Sequence, residues 1–139
     1  MFDWIVSHPL AYPALEVAHI AGIALLIGNL SLFELRVWGF GAALPVQPLA
    51  RLALGLALTG FGLIAASGAL MFAGQAAELL ANRAFVLKMA LVLLAGMNAL
   101  AFHLRGGLQQ LDRTARAQTV LSLGLWLAVI ICGRWIAYL

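Results

Sequence analysis

Four long apolar runs, separated by short polar segments, cover most of the chain. A helix rises about 1.5 Å per residue, so a run of about 20 residues crosses the ~30 Å hydrocarbon layer of a bilayer. The runs extend over about 10–35, 52–73, 84–104 and 117–139. Short connections favour antiparallel neighbours. The pattern therefore predicts an all-α fold over residues 1–139, a single transmembrane domain that forms an integral membrane four-helix bundle with up-down neighbours.

Two segments between the runs have sequence patterns that predict local structure. Segment 37–50 contains Gly39, Gly41, Pro45 and Pro48, which indicates a turn-rich loop. Segment 75–83 is predicted to form a short interfacial helix. Small residues in the second run follow alternating four- and three-residue steps, so they form one stripe on a helix where another helix packs closely or a flat ligand lies. This stripe is Gly55, Thr59, Gly62 and Ala66.

Composition supports a membrane setting. Apolar residues make up 65% of the chain and charged residues 9%, whereas soluble domains carry about 25% charged residues. The lipid bilayer is therefore the predicted surrounding of most of the surface. The basic residues lie at the ends of the runs and form no cluster interleaved with aromatic residues, so nucleic acid is not a predicted partner.

The placement of lysine and arginine predicts the orientation, because cytoplasmic ends carry more of them. One end of the bundle has five arginines and the other has three basic residues. The first end is the predicted cytoplasmic one, which puts both termini on the outer side. The five are Arg36, Arg51, Arg105, Arg113 and Arg116, and the three are Arg83, Lys88 and Arg134.

Every run places polar or sulfur-containing side chains at a similar depth. Counting ~1.5 Å per residue from the arginines at the inner end puts these residues ~24–30 Å up their helices. Ionisable groups at such depths are costly and therefore informative. We call this set the outer layer: Glu16, His19, Ser67, Met71, Lys88, Met89, Cys132 and Arg134.

Three interpretations of the outer layer stay open. The first is a structural ion network of Glu16, Lys88 and Arg134 that pins the helices together. The second is a haem b or copper site, since haem favours histidine and methionine ligands and copper(I) favours soft ligands. The third is a proton or substrate relay. The residues predicted to bind haem are His19, Ser67, Met71 and Met89, and those for copper are His19, Met89 and Cys132.

A second set of polar residues lies near the inner end. Glu34 and His103, which we call the inner layer, are each ~3 Å above the inner boundary. His19 and His103 differ in depth by ~22 Å, so within a monomer they cannot be the two axial ligands of one haem. Between the two layers, an interhelical hydrogen-bonded layer is predicted from Asn29, Thr59 and Asn98.

The chain contains six short motifs: His19-Ile20-Ala21-Gly22, Leu26-Ile27-Gly28, Glu34-Leu35-Arg36, Lys88-Met89, Gly96-Met97-Asn98 and Phe102-His103. They resemble those of an uncharacterised family of small bacterial four-helix integral membrane proteins, which is distantly similar to the copper-resistance D membrane domain. The resemblance extends over about 13–105 and implies a redox or copper-related role in the bacterial inner membrane, with His19 as a ligand.

Two functions from different classes follow. One is a redox or metal-associated membrane subunit that works with a membrane or periplasmic redox partner protein in electron transfer. The other is a non-catalytic architectural or assembly subunit of a larger membrane complex or of a homo-oligomer. No nucleotide-binding or acyl-transfer motif is present and the connecting segments are short, so no enzymatic activity of the chain by itself is predicted.

Overall fold

The computed structural model describes residues 3–107 and 111–138, and this part of the chain is helical without any strand. Four of its helices, which begin at Ala11, Val46, Arg83 and Arg113, are long and apolar enough to cross a membrane. They confirm the prediction of an all-α fold with four helices of membrane-spanning length and apolarity. The helices are α1 (Trp4–Ser7), α2 (Ala11–Val37), α3 (Val46–Gly74), α4 (Ala76–Leu80), α5 (Arg83–Leu104) and α6 (Arg113–Trp135), followed by a 3₁₀ helix (Ile136–Tyr138).

The second and fourth spans begin earlier than the sequence pattern predicts. α3 begins at Val46 rather than near residue 52, with Pro48 in its first turn. A first-turn residue has no intrahelical acceptor for its N–H, so proline is tolerated there. α6 begins at Arg113 rather than near residue 117, because the side chain of Asp112 accepts a hydrogen bond from the backbone N–H of Ala115 at 2.9 Å. Local effects at the first turn therefore extend both helices into segments that look like loops in the sequence. The short helix expected within 75–83 is present as α4.

The four spans form two antiparallel hairpins. α2 packs along α3, α5 packs along α6, and the two hairpins meet chiefly through α2 and α6. The antiparallel direction follows from the pairing of residues. Gly22 meets Gly60 while the earlier His19 meets the later Ser67. The helices α1 and α4 and the 3₁₀ helix lie at one end of the bundle, and the C-terminal end of α2 and the start of α3 lie at the other.

The closest helix contact in the first hairpin is between Gly22 and Gly60. A Cβ atom on Gly60 would lie 2.7 Å from the carbonyl oxygen of Gly22, and one on Gly22 would lie 2.8 Å from the carbonyl oxygen of Gly60. Only residues without side chains permit such an approach of two backbones. The buried face of α3 continues from this contact through Ala50, Ala53, Ala57 and Ser67.

The predicted stripe of Gly55, Thr59, Gly62 and Ala66 packs against no other helix within the described part of the chain, since all four residues are exposed. A Cβ atom on Gly55 or Gly62 would meet nothing within 4 Å. α3 carries small residues on two of its faces, and both sets follow three- and four-residue steps. Spacing alone therefore could not select the face, which the position of Gly22 on α2 determines.

A hydrophobic core closes the end of the bundle that holds the two interhelical connections. It contains Phe33 and Val37 of α2, Ala50 and Ala53 of α3, Phe102 of α5 and Ala115 of α6. The rings of Phe33 and Phe102 meet edge to face with centroids 6.0 Å apart. At the opposite end, fully buried Ile5 of α1 packs on Gly74. The outer layer therefore lies nearer the end that holds the chain termini.

Candidate polar site in the outer layer

His19 of α2 and Ser67 of α3 form a direct interhelical hydrogen bond. The distance between His19 Nδ1 and Ser67 Oγ is 3.0 Å, and Ser67 is 3% exposed. The Ser67 hydroxyl donates to the carbonyl oxygen of Leu63 at 2.7 Å. A hydroxyl has one hydrogen, so Ser67 accepts the hydrogen bond from Nδ1–H of His19. This network assigns the proton to Nδ1 and leaves the Nε2 lone pair free.

The imidazole ring of His19 is also positioned by Gly68. A Cβ atom on Gly68 would lie 3.4 Å from Cε1 of the ring, so the ring lies against the backbone of α3. The backbone of Ile64, which is also on α3, interacts with the ring as well. The ring is therefore held from the α3 side.

Lys88 of α5 and Cys132 of α6 complete the cluster. The ammonium group of Lys88 lies against the backbone of α6, because a Cβ atom on Gly133 would be 3.6 Å from Nζ. Lys88 interacts electrostatically with both His19 and the buried thiol of Cys132. Each of the four spans thus contributes one polar or sulfur-containing side chain, and we call His19, Ser67, Lys88 and Cys132 the polar site.

The expected ion network of Glu16, Lys88 and Arg134 is not formed in the described part of the chain. Glu16 is exposed and forms no ion pair. Arg134 donates a hydrogen bond to the hydroxyl of Tyr138 at 2.9 Å, and its guanidinium lies 5.1 Å from the centroid of that ring. Equal depth along the helices did not imply contact, because Glu16 lies on an exposed face and Arg134 has a partner one turn away.

The two methionines of the outer layer lie outside the polar site as defined. Met71 is half-buried and Met89 is 48% exposed. Among the described residues, no group of three or more His, Cys, Asp or Glu side chains could hold a metal ion. A copper site would therefore depend on His19 with the sulfur atoms of Met89 or Cys132. The residues fit a haem better, because a haem needs one well-oriented histidine and at most one further axial ligand.

The two inner-layer residues differ in their exposure to solvent or lipid. Glu34 is 1% exposed, whereas His103 is exposed with its ring centroid 5.5 Å from that of Phe102. The predicted hydrogen-bonded layer of Asn29, Thr59 and Asn98 was wrong for two of its members. Only the Asn98 amide crosses between helices, to the carbonyl oxygen of Gln118, while the Asn29 and Thr59 side chains bond to carbonyl groups of their own helices.

Sequence reasoning missed one contact between the hairpins. The indole Nε1–H of Trp38 donates to the hydroxyl of Thr119 at 2.7 Å, and that hydroxyl donates to the carbonyl oxygen of Arg116. The position of Trp38 next to the end of a span is typical of an interfacial aromatic belt, and no spacing rule connects it to a threonine of the fourth span.

Chemically, the polar site offers one oriented imidazole nitrogen, one ammonium group and one buried thiol inside an apolar bundle. It therefore suits a ligand that takes one nitrogen donor and carries negative charge. No protein-family model, curated protein or solved structure matches the chain, and the resemblance to the copper-resistance D membrane domain stays a prediction.

Proposed function

We propose that this protein is a membrane redox subunit in which Nε2 of His19 would hold the iron of haem b. The observation that supports this most is the hydrogen bond from Nδ1–H of His19 to Ser67. Metal-binding histidines almost always donate their other ring N–H to such a partner, which fixes the tautomer and raises the basicity of the ligand nitrogen. A bound haem would provide one-electron transfer. The chain would orient the ligand and exclude water.

Two further residues suit this role. Met71 is four residues after Ser67 on α3, so it lies on the same side of the helix as Ser67, one turn towards the end with the chain termini. Its thioether would be a second group that holds the haem. Lys88 has no carboxylate partner among the described residues, and its ammonium group would balance the negative charge of a haem propionate. A positive charge inside an apolar bundle is costly, so an anionic group of the cofactor would stabilise it.

The experiment uses the three histidines of the chain. The protein is purified in mild detergent from haem-supplemented cells, and its visible spectrum is recorded before and after reduction. We expect a Soret band in the wild type and in His8→Ala and His103→Ala, two exposed positions, and its loss in His19→Ala. Ser67→Ala should retain the haem but raise its midpoint potential, because the ligand nitrogen loses basicity. Wild-type protein without a Soret band would refute the haem role, and bound copper in that protein would support the copper site instead.

We also propose the location and partners of the subunit. The five arginines at the end with the interhelical connections support a cytoplasmic position for that end. Both termini would then be periplasmic in a bacterial inner membrane, and the polar site would lie within reach of a membrane or periplasmic redox partner. In a Cys132→Ser background, a membrane-impermeant maleimide should label Ser7→Cys in intact spheroplasts. It should label Ala43→Cys only after lysis, and the reverse pattern would refute this orientation.

The exposed face of α3 favours a second candidate, an architectural or assembly subunit. Gly55 and Gly62 lie on this face, and a Cβ atom on either would have no neighbour within 4 Å, so another helix could approach the backbone closely there. Under this candidate the purified protein is colourless and metal-free. Crosslinking through the thiol of a Gly62→Cys variant would then yield dimers or a crosslinked partner, and a crosslink-free, colourless protein would refute both candidates.

A further inference from the structure

The carboxyl group of Glu34 is buried between the two hairpins without a hydrogen-bond partner. Glu34 is 1% exposed, and neither Oε1 nor Oε2 forms a hydrogen bond. The Ser122 hydroxyl of α6 interacts with this carboxyl but does not reach hydrogen-bond geometry with either oxygen. An unpaired carboxylate in such a place would be an uncompensated charge between α2 and α6, the two helices that join the hairpins.

The surroundings of Glu34 include apolar side chains and buried oxygen atoms of α6. Its neighbour Phe33 and the following turn at Val37 belong to the hydrophobic core. On α6, Gln118 lies one turn before Ser122, and its Oε1 atom is also buried without a partner. The region therefore has buried oxygen acceptors that lack a donor. A protonated carboxyl group has one O–H donor, and a carboxylate has none.

The charged and titratable groups at this end of the bundle do not neutralise Glu34. On α2, Arg36 donates its Nε–H to the carbonyl oxygen of Leu44 at 2.8 Å. After α5, Arg105 forms an ion pair with Asp112 at 3.0 Å. The remaining groups at this end are exposed and form no ion pair with Glu34. They are Arg51 of α3, His103 of α5, and Arg113 and Arg116 of α6.

We propose that Glu34, at the interface between α2 and α6, is a proton-binding site that is occupied at neutral pH. Leaving a buried charge unpaired is strongly destabilising. The neutral carboxylic acid avoids this cost and can donate to the acceptors of α6. Loss of the proton would place a negative charge at the hairpin junction and separate α2 from α6.

Infrared spectroscopy of the protein in lipid nanodiscs tests this directly, because a protonated carboxylic acid has a C=O stretch well separated from amide and carboxylate bands. We expect such a band at neutral pH in the wild type, with a shift in D₂O. Glu34→Gln, which preserves shape and removes the acid, should abolish the band. Glu16→Gln, which removes the exposed carboxyl of the same helix, should leave it unchanged. A wild type without the band, or a band that persists in Glu34→Gln, would overturn the proposal.

A second variant keeps the test valid if Glu34→Gln does not fold. Ser122→Ala removes the polar hydroxyl that interacts with the carboxyl, so the surroundings of the C=O become less polar and its band should move to higher frequency. An unchanged frequency would contradict the position of the acid against α6. The same samples, exchanged between Na⁺ and a large organic cation, distinguish a proton from a metal cation. A spectrum that depends on the cation would assign the site to Na⁺ and overturn the proton.

Discussion

The contact between Gly60 and Gly22 leads to a prediction about the stability of the first hairpin. A methyl group on residue 60 would meet the carbonyl oxygen of Gly22 at 2.7 Å and two further atoms at 2.8 Å, Cβ of Leu25 and the backbone nitrogen of Leu26. None of these atoms can rotate away, since two belong to the backbone and the third is a Cβ. In Gly60→Ala, α2 and α3 must therefore separate.

The size of the effect follows from the geometry. Relieving the clash requires a separation of roughly 0.5–1 Å, which removes about a quarter to a half of the dispersion energy at the affected contacts. Overpacking of this kind typically costs ~1–3 kcal/mol. Because all three obstacles are rigid, we expect Gly60→Ala to lower the free energy of unfolding by about 2–3 kcal/mol.

Equilibrium unfolding in mixed micelles, with increasing fractions of sodium dodecyl sulfate, measures this free energy. Gly62→Ala is the matched control, because a Cβ there meets nothing within 4 Å, and its effect should stay within about 0.5 kcal/mol. Gly22→Ala should resemble Gly60→Ala, and the double variant should cost less than the sum because one separation relieves both clashes. Equal effects of Gly60→Ala and Gly62→Ala would refute the backbone contact.

Three further predictions concern the polar groups of the fold. Thr119→Val removes the acceptor of the Trp38 indole N–H and should lower the free energy of unfolding by about 1 kcal/mol. The same micelle assay detects this change. An unchanged free energy of unfolding would contradict this hydrogen bond between the hairpins. The backbone N–H at the start of α6, and then Arg105, hold the pKa of Asp112 below its usual value. The contribution of Asp112 to stability is therefore complete above the unfolded pKa of about 3.9, and it is lost as the pH falls through the lower folded pKa. The difference in melting temperature between the wild type and Asp112→Ala should therefore shrink in acid. A difference that grows in acid would contradict the lowered pKa. Glu16→Gln should leave the melting temperature unchanged, since Glu16 is exposed and unpaired, and a clear decrease would restore the ion-network interpretation.

The membrane spans were predictable from the sequence because lipid imposes length and apolarity on each helix independently. The start of α3 was not predictable, since proline is common in loops but is also tolerated in the first turn of a helix, where Pro48 lies. The choice of packing face also required the partner, because Gly60 and Gly62 differ only in which one meets α2.

The polar site shows the same limit. Depth counting identified His19, Ser67, Lys88 and Cys132 because each helix rises by a fixed distance per residue. The depth of a residue does not determine on which face of its helix the side chain lies. It therefore also selected Glu16, which lies on an exposed face. The hydrogen bond between His19 and Ser67, which assigns the free nitrogen, required the relative rotation of α2 and α3.

The most direct test of the haem proposal is a haem titration of purified His19→Gly protein with and without imidazole. This substitution removes the ligand side chain beside Ser67 and leaves a space of imidazole size. We predict that the wild type binds one haem per chain with a low-spin spectrum, that His19→Gly does not, and that added imidazole restores the spectrum. A wild type that takes up no haem, or a His19→Gly variant that binds it equally well without imidazole, would contradict the account.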